Sequence, residues 1–432
     1  MKEIRIVGAG LSGSEAALQF ADKGWNVELY EMRPKVTTPA HETDKFSEVV
    51  CSNSFKSELL SSASGLFKSE LKILGCKLID IAQKFKVPAG SALAVDRKKF
   101  SEYVTQKIKN HPNITVINEE FYEFDEKLTI IASGPLTSDK LIENLQKLIG
   151  KEQLYFFDAI APIVSAESIN RDVVYEKARY DKGNADYLNC PFTKEQYLEF
   201  VESLNSAKKH EAKEFENQFF SDINFNFYEN CTPIEELARR GSKTLQFGVM
   251  KPVGLNRADG TRPYAVVQLR AENKDKTAYN LVGCQTMLTY SEQKRIFRKI
   301  PGLENAEFLR LGSIHRNTYL NLPEIANRDL SLKIADNVFI IGQLSGVEGY
   351  VESIFTGTLV AKIIMDNLDN LPEESISGQL WKHITNEVKN FQPMNANFGL
   401  LPPLKEKIKE KQKRKLAYSK RAIDLLEKLF EK

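Results

Sequence analysis

Residues 2–31, KEIRIVGAGLSGSEAALQFADKGWNVELYE, constrain the fold more than any other stretch of the chain. Ile4, Ile6 and Val7 make an apolar strand that runs directly into Gly8-Ala9-Gly10-Leu11-Ser12-Gly13. Ala16, Ala17, Leu18, Phe20 and Ala21 then supply the apolar face of a helix, Gly24 stops it, and a second strand from Val27 to Tyr30 ends at Glu31. Strand, G-x-G-x-x-G, helix, strand and acid form a dinucleotide-binding unit. Gly8 permits the tight turn, Gly10 lets backbone approach a pyrophosphate, and Gly13 lets helix and strand pack closely. Ala9, Leu11 and Ser12 complete the turn at the helix start, whose free N–H groups face phosphate. Glu31, 18 residues beyond Gly13, is placed to accept from a ribose diol, with Arg33 just past it.

NAD and FAD both bind such a unit, and a second feature favours FAD. NVFIIGQLSGVEGYVESIFTGTLVAKIIM gives a strand over Val338 to Ile341, then Gly342-Gln343 with Gly346 and Gly349, then a helix from about Tyr350. Flavoproteins of the two-dinucleotide-binding type return such a late strand, glycine turn and helix to the flavin, where the helix start stabilises negative charge on the reduced ring. LTIIASGP, residues 128–135, resembles their middle glycine segment.

Between these ends, residues 169–309 mix helical stretches such as TKEQYLEFVESLNSAKKHEAKEFENQFF with strand-like ones such as RPYAVVQLRAEN. The expected architecture is α/β: a Rossmann-type FAD-binding domain over 1–168 and 310–432, interrupted by an inserted α+β domain over 169–309. With 432 residues the chain is long enough for two or three domains. Lys and Arg total 60 against 58 acids, so net charge says little about partners, but its distribution is uneven. Residues 405–421 hold nine Lys or Arg, Lys413 and Arg414 among them, and two Glu. Leu416, Ile423, Leu426 and Phe430 still give that tail an apolar face, so a docked helix is expected. Its basic side reads either as a solvated face or as an RNA phosphate contact. Lys294, Arg295, Arg298 and Lys299 form another basic cluster.

No run approaches 18 apolar residues, and the chain opens on a strand, so a cytoplasmic protein without membrane contact is expected. Five widely spaced cysteines with no C-x-x-C pair argue against a disulfide framework and a cysteine zinc site. No H-E-x-x-H occurs, and metal catalysis has no support. Cys76 and Cys284 lie among apolar neighbours and read as packing residues. Thr193 and Gln196 read as a capping box a few residues after Cys190. In NCTPIEELARRG, Thr232 is expected to cap a helix with Pro233 at its first position and Glu235 closing the box, which places Cys231 where a helix N-terminus favours thiolate. Local chemistry keeps Cys231, Cys51 and Cys190 open as nucleophiles in that order, a packing role remaining the stronger reading for each.

Nine ordered segments, among them GAGLSGSEAA, TPAHETDKFSEVVCSNS, VPAGSALAVDR, MKPVGLNRADGTRPYAVVQLR, RLGSIHRNTY and GQLSGVEGYVES, span nearly the whole chain. Together they resemble the folate- and FAD-dependent tRNA uracil-5-methyltransferases, the TrmFO family, more closely than the related GidA-type wobble-uridine enzymes. The resemblance implies RNA uridine C5-methylation, with 5,10-methylenetetrahydrofolate as carbon donor, reduced FAD as hydride donor and NAD(P)H as reductant. Uracil C5 is a poor nucleophile until a thiolate adds to C6. By motif that nucleophile falls on Cys231, while Cys51 lies beside the isoalloxazine and Cys190 is structural. The flavin pocket carries over to Gly8, Gly10, Gly13, Glu31, Gly342 and Gln343. His315, Arg316, Asn317 and Tyr319 face flavin or folate, or form a structural loop; Arg295, Arg298, Lys413 and Arg414 are candidate RNA contacts. The chain departs from the family at His41-Glu42, where two histidines are usual, and at Lys56, where arginine is usual. Transfer RNA is the expected substrate, with ribosomal RNA, a small-molecule flavin oxidoreductase and a non-catalytic RNA-binding flavoprotein as alternatives.

Overall fold

The computed structural model describes residues 2–38, 40–150, 154–181, 184–209, 232–387 and 391–431; for 154–158, 315 and 316 it describes the backbone alone. Cys231 lies outside the described residues.

The β-branched run around Ile6 forms the strand Glu3–Val7 at the centre of a six-stranded sheet. The order across that sheet is Ser331–Leu332, Ala335–Ile340, Thr129–Ile131, Glu3–Val7, Asn26–Tyr30 and Ile114–Ile117. Five of these strands run parallel, and only Ser331–Leu332 pairs antiparallel. Register is set by the apolar alternation: Ile6 sits opposite Leu29 on one side and Ile130 on the other. A strand order that reverses beside Glu3–Val7 opens a crevice at the carboxyl ends of the strands, the usual ligand position of doubly wound sheets.

Two helices from opposite ends of the chain, Leu11–Asp22 and Tyr350–Asp366, pack against each other above this sheet. Their approach depends on glycine, since a Cβ on Gly357 would stand 2.4 Å from the Ser12 carbonyl oxygen. The core of this domain therefore draws on both termini, from Ile4 and Phe20 to Phe355 and Leu426.

The inserted portion has its own antiparallel sheet and its own core. Its order is Tyr175–Glu176, Tyr187–Phe192, Ala265–Ala271, Ala278–Val282, Ile163–Ser165 and Phe308–Arg310. This sheet takes in Ile163–Ser165, ahead of the expected start at 169. Phe192, Tyr197, Phe200, Leu269, Tyr279 and Phe297 fill the space between it and the helices Lys194–Asn205, Ile234–Arg239 and Tyr290–Phe297. A two-stranded ribbon, Leu154–Ala159 against Ile314–Tyr319, carries the chain out of and back into the parallel domain.

The basic tail forms the helix Lys411–Phe430 and docks on Ala63–Ile73. Ser419, Ala422 and Leu426 are its buried residues, and the Ser419 hydroxyl donates to the Leu60 carbonyl oxygen at 2.6 Å. The expected apolar face is thus corrected at Leu416, which is 41% exposed. Leu416 lies about a quarter turn around the helix from the line of Ser419, Ala422 and Leu426, and so falls at the rim of the contact.

Candidate functional site

The first glycine turn builds one wall of a cleft at the strand ends. Gly8 has φ of +100°, a left-handed conformation that disfavours a side chain. A Cβ on Gly13 would fall 1.8 Å from the Gly8 carbonyl oxygen, whereas a Cβ on Gly10 would meet nothing within 4 Å. Gly13 therefore closes the turn against its own strand, and Gly10 leaves open space beside the N–H groups of the helix Leu11–Asp22. Such a helix start suits a pyrophosphate.

Glu31 ends the second strand and is only 5% exposed. Its carboxylate accepts the Ala9 N–H at 3.1 Å and is clasped by Arg33 through Nε at 2.9 Å and Nη2 at 3.1 Å. Burial works against its charge, but the Arg33 guanidinium and the Arg33 and Ala9 N–H groups hold Glu31 below the usual carboxylate range. Arg33 also reaches the Thr43 carbonyl oxygen at 3.1 Å and Glu48 at 3.4 Å. It braces the acid and the adjoining loop at once.

The cleft holds about 1020 Å³, its open mouth included, and is lined by Gly8, Gly10, Leu11, Ser12, Glu31, Arg33 and Gln343 of the residues expected from sequence. Ser133, Gly134 and Thr137, from the turn after Thr129–Ile131, add lining where sequence points only to a middle glycine segment. Gly342 lies behind the lining, where a Cβ would meet Ser12 Oγ at 2.5 Å. Gly346 and Gly349 shape the turn into Tyr350–Asp366, both with positive φ. Open space at Gly10, two converging helix starts and a buried ionised acid fit a flavin dinucleotide.

Tyr350, the first residue of the late helix directly after Gly349, also lines the cleft, a place that the sequence reading does not assign it. Its hydroxyl oxygen accepts the N–H groups of Cys51 at 2.9 Å and Ser52 at 3.2 Å, and lies 2.9 Å from the Cys51 sulfur. Burial pushes the Tyr350 phenol well above its ordinary pKa. Cys51 is half-buried. Cys76, Cys190 and Cys284 are buried; burial raises all three thiols, that of Cys284 to about 12.

Pro233, not Thr232, is the N-cap of the helix Ile234–Arg239, and no side chain caps it. The expected box is absent because the Glu235 carboxylate turns inward, accepting Thr286 Oγ1 at 2.9 Å and the Met287 N–H at 2.7 Å. Tertiary partners outcompete the local cap. By contrast the box at Thr193 and Gln196 forms with both bonds.

The ribbon strand Ile314–Tyr319 brings His315, Arg316, Asn317 and Tyr319 to the parallel domain: Thr318 N–H donates to the Pro135 carbonyl oxygen at 2.9 Å and Leu320 N–H to that of Leu344 at 2.9 Å. Asn317 and Tyr319 are buried. The basic candidates lie elsewhere and are already engaged: Arg295 with Glu292 at 2.5 Å, Arg298 with the Ala306 carbonyl oxygen at 3.0 Å, Lys413 with Glu410 at 2.8 Å and Arg414 with the Ile408 carbonyl oxygen at 3.2 Å. Among the described residues, no cluster of three His, Cys, Asp or Glu could hold a metal ion, and no helix is long and apolar enough to cross a membrane.

A parallel sheet with two glycine turns, two helix starts at one cleft and an inserted antiparallel sheet define a two-dinucleotide-binding flavoprotein fold. Solved GidA from Aquifex aeolicus shares it, with a TM-score of 0.70 at 15% identity over 99% of this chain and 73% of that one. The sequence model of the family "Glucose inhibited division protein A" matches residues 3–372. The methylenetetrahydrofolate--tRNA-(uracil-5-)-methyltransferases TrmFO of Bacillus subtilis and Fusobacterium nucleatum are each 50% identical to this chain, with 98% of both chains covered. That of Staphylococcus epidermidis is 49% identical over 435 residues. The chain belongs to the TrmFO family, within the glucose inhibited division protein A group.

Proposed function

We propose that the chain is a methylenetetrahydrofolate- and FAD-dependent tRNA uracil-5-methyltransferase. The observation that carries this reading is half identity, along nearly the full length, to proteins named for that activity. In this reading Gly8, Gly10, Leu11 and Ser12 hold the pyrophosphate of FAD, Glu31 its ribose, and Gln343 and the start of Tyr350–Asp366 its ring. Bound FAD, once reduced by NAD(P)H, supplies a hydride, and the folate supplies the carbon.

The chain's own part is to position the base, activate it and keep water from the carbon under transfer. Cys231 is the proposed nucleophile at uracil C6, and adding its thiolate there makes C5 nucleophilic. Burial of Cys76, Cys190 and Cys284, with thiols raised, removes them from competition and supports this assignment. Cys51, bonded to Tyr350, is proposed to shape the flavin environment. The ribbon residues His315, Arg316, Asn317 and Tyr319 are proposed to border flavin or folate, with the basic helix Lys411–Phe430 meeting RNA phosphate. A cytoplasmic location follows from this substrate.

The test combines purified protein, NAD(P)H, labelled methylenetetrahydrofolate and separate unmodified tRNA and ribosomal RNA transcripts, read as labelled 5-methyluridine by mass spectrometry. Label in tRNA is expected. Label in neither RNA overturns the methyltransferase reading, and label in ribosomal RNA alone moves the target.

A further inference from the structure

The segment around Cys51 is gripped by three guanidinium groups. Arg97, the first residue of the helix Arg97–Lys109, donates through Nη1 to the Val49 carbonyl oxygen at 2.5 Å and to that of Val50 at 3.1 Å. Arg310, on the last strand of the inserted sheet, donates to the same Val50 oxygen at 2.7 Å. Arg270, in the strand Ala265–Ala271, donates to Ser52 Oγ at 2.7 Å and to Asn53 Oδ1 at 2.8 Å. Asn53 in turn donates to the Ala271 carbonyl oxygen at 3.0 Å. Two of these three cations come from the inserted sheet, so the Cys51 segment lies where the domains join.

The counter-charges are incomplete. Glu42 pairs with Arg310 at 3.0 Å, and Glu272 pairs with Arg97 at 3.0 Å through one oxygen only. The other Glu272 oxygen, Arg97 Nη2 and Asn280 Nδ2 are buried with no hydrogen-bond partner among the described residues. Asn280 is the cross-strand neighbour of Arg270, and Glu272 lies two residues beyond Arg270, so these groups share the face turned toward Cys51. No ion pair to Arg270 occurs among the described residues. Among the described residues, three cations against two carboxylates leave an excess of positive charge around the half-buried thiol. Burial disfavours the Arg97 charge, yet Glu272, Tyr350 and Cys51 together raise its pKa, which fits their mutual proximity.

We propose that Arg97, held across the domain boundary by Glu272, is a positioning residue for Cys51: it fixes the 49–51 backbone and supplies the positive charge that favours the Cys51 thiolate beside Tyr350. The inference rests on the reading of Cys51 as part of the flavin environment. It gives Cys51 a protonation state set partly by the inserted sheet, through Glu272 acting on Arg97. Among the described residues, the charged and titratable groups that face Cys51 or its segment include Tyr350 from the late helix, Arg97 from the helix Arg97–Lys109, Glu272 and Arg270 from the inserted portion, and the Arg310–Glu42 pair.

The experiment is peptide-resolved alkylation of Cys51 by iodoacetamide across pH, on FAD-bound wild type, Arg97→Gln, Arg97→Lys and Glu272→Gln. Arg97→Gln is expected to raise the midpoint by about one pH unit and slow alkylation at neutral pH about tenfold, as loss of a neighbouring opposite charge does. Arg97→Lys, which keeps the charge, is expected to restore most of the rate. Glu272→Gln leaves Arg97 less neutralised and is expected to lower the midpoint. A merely loosened segment would move Arg97→Gln and Glu272→Gln in the same direction, and that result overturns the proposal. So does an unchanged midpoint in Arg97→Gln. If Arg97→Gln does not fold, Glu272→Gln decides alone: a lower midpoint supports the proposal, and an unchanged or higher one overturns it. Failure of wild type to methylate tRNA would count against the functional reading, whereas an unshifted Arg97→Gln that still methylates counts against this inference alone.

Discussion

The Tyr350 hydroxyl lies 2.9 Å from both the backbone nitrogen and the sulfur of Cys51, joining the turn into the last long helix to a segment 299 residues earlier in the chain. Phenylalanine at 350 would keep the ring and strand two N–H groups, those of Cys51 and Ser52. Leaving a buried donor unmet costs about 1–3 kcal/mol. Tyr350→Phe is therefore expected to lower the unfolding free energy read from urea titration by an amount in that range and to alter the flavin absorbance spectrum. An unchanged spectrum would mean that the bond does not reach the flavin environment.

Trapping separates Cys231 from Cys51. Cys231→Ala is expected to abolish the covalent complex with a 5-fluorouridine tRNA, because no adduct forms at C6 without the nucleophile. Cys51→Ala is expected to lower flavin occupancy or shift its spectrum while trapping persists. Denaturing gel shift reads the first effect and the ratio of flavin to protein absorbance the second. Trapping by Cys231→Ala refutes the assignment.

Glu31 and Arg33 form a buried pair in which removing one partner strands the other. Glu31→Gln leaves Arg33 facing Glu48 alone, and breaking such a pair costs about 3–5 kcal/mol. It is expected to purify with less than about a tenth of the wild-type flavin, a tenfold loss corresponding to only about 1.4 kcal/mol of binding. Arg33→Ala is expected to fail likewise. Full flavin in either variant would remove Glu31 from the ribose site.

Gly13 and Gly357 offer steric tests of the same cleft. At Gly13 the obstruction is backbone 1.8 Å away, and at Gly357 it is backbone at 2.4 Å. Neither can yield by rotating a side chain. Gly357→Ala is expected to destabilise by about 1–3 kcal/mol through overpacking. Gly13→Ala is expected to lose flavin as well, since its turn faces the cofactor. A urea titration with parallel flavin absorbance separates the two effects.

The glycine turns are legible in the sequence because their function is local: Gly8 to Gly13 and Gly342 to Tyr350 each bring their chemistry within a few residues. Thr193 and Gln196 are legible for the same reason. The failure at Thr232 and Glu235 has a nonlocal cause, for Met287 and Thr286 lie more than fifty residues away and claim the carboxylate that local spacing assigns to a cap. Arg97, Arg270 and Arg310 are also out of reach. They lie in segments that carry the family resemblance, but no periodicity says that three arginines from two domains meet on one segment beside Cys51.

Glu70 gives a pH dependence outside the active site. Its carboxylate is fully buried and accepts the N–H groups of Ile376 at 2.9 Å and Ser377 at 2.8 Å, tying Ala63–Ile73 to the start of the helix Ile376–Thr385. Burial pushes this acid up to about 7 despite those bonds. The folded pKa is above the unfolded value of about 4.3, so the folded state binds the proton more tightly. The contribution is complete below about pH 4.3 and is lost as pH rises through 7, on the order of 4 kcal/mol in all. Wild type is therefore expected to lose stability relative to Glu70→Gln between pH 5 and 8. Urea midpoints of both proteins across that range check the sign, and a wild type that gains on the variant contradicts it.

The basic tail makes its prediction through salt. Lys411 and Lys413 are exposed on the first turn of Lys411–Phe430, about two turns ahead of Ser419, Ala422 and Leu426, the buried residues of that helix. Lys413 shares its charge with Glu410, but an exposed pair of this kind is worth at most about 1 kcal/mol and yields readily to phosphate. Removing one lysine–phosphate interaction reduces the magnitude of the salt slope of log affinity by about 0.7–0.9. Replacing both lysines by glutamine is expected to flatten the slope for tRNA by about 1.5 and leave flavin content unchanged, because the helix docks through Ser419, Ala422 and Leu426, further along it. Filter binding at several potassium chloride concentrations measures the slope. An unaltered slope assigns the tail to solvent and places the RNA contact elsewhere on the protein.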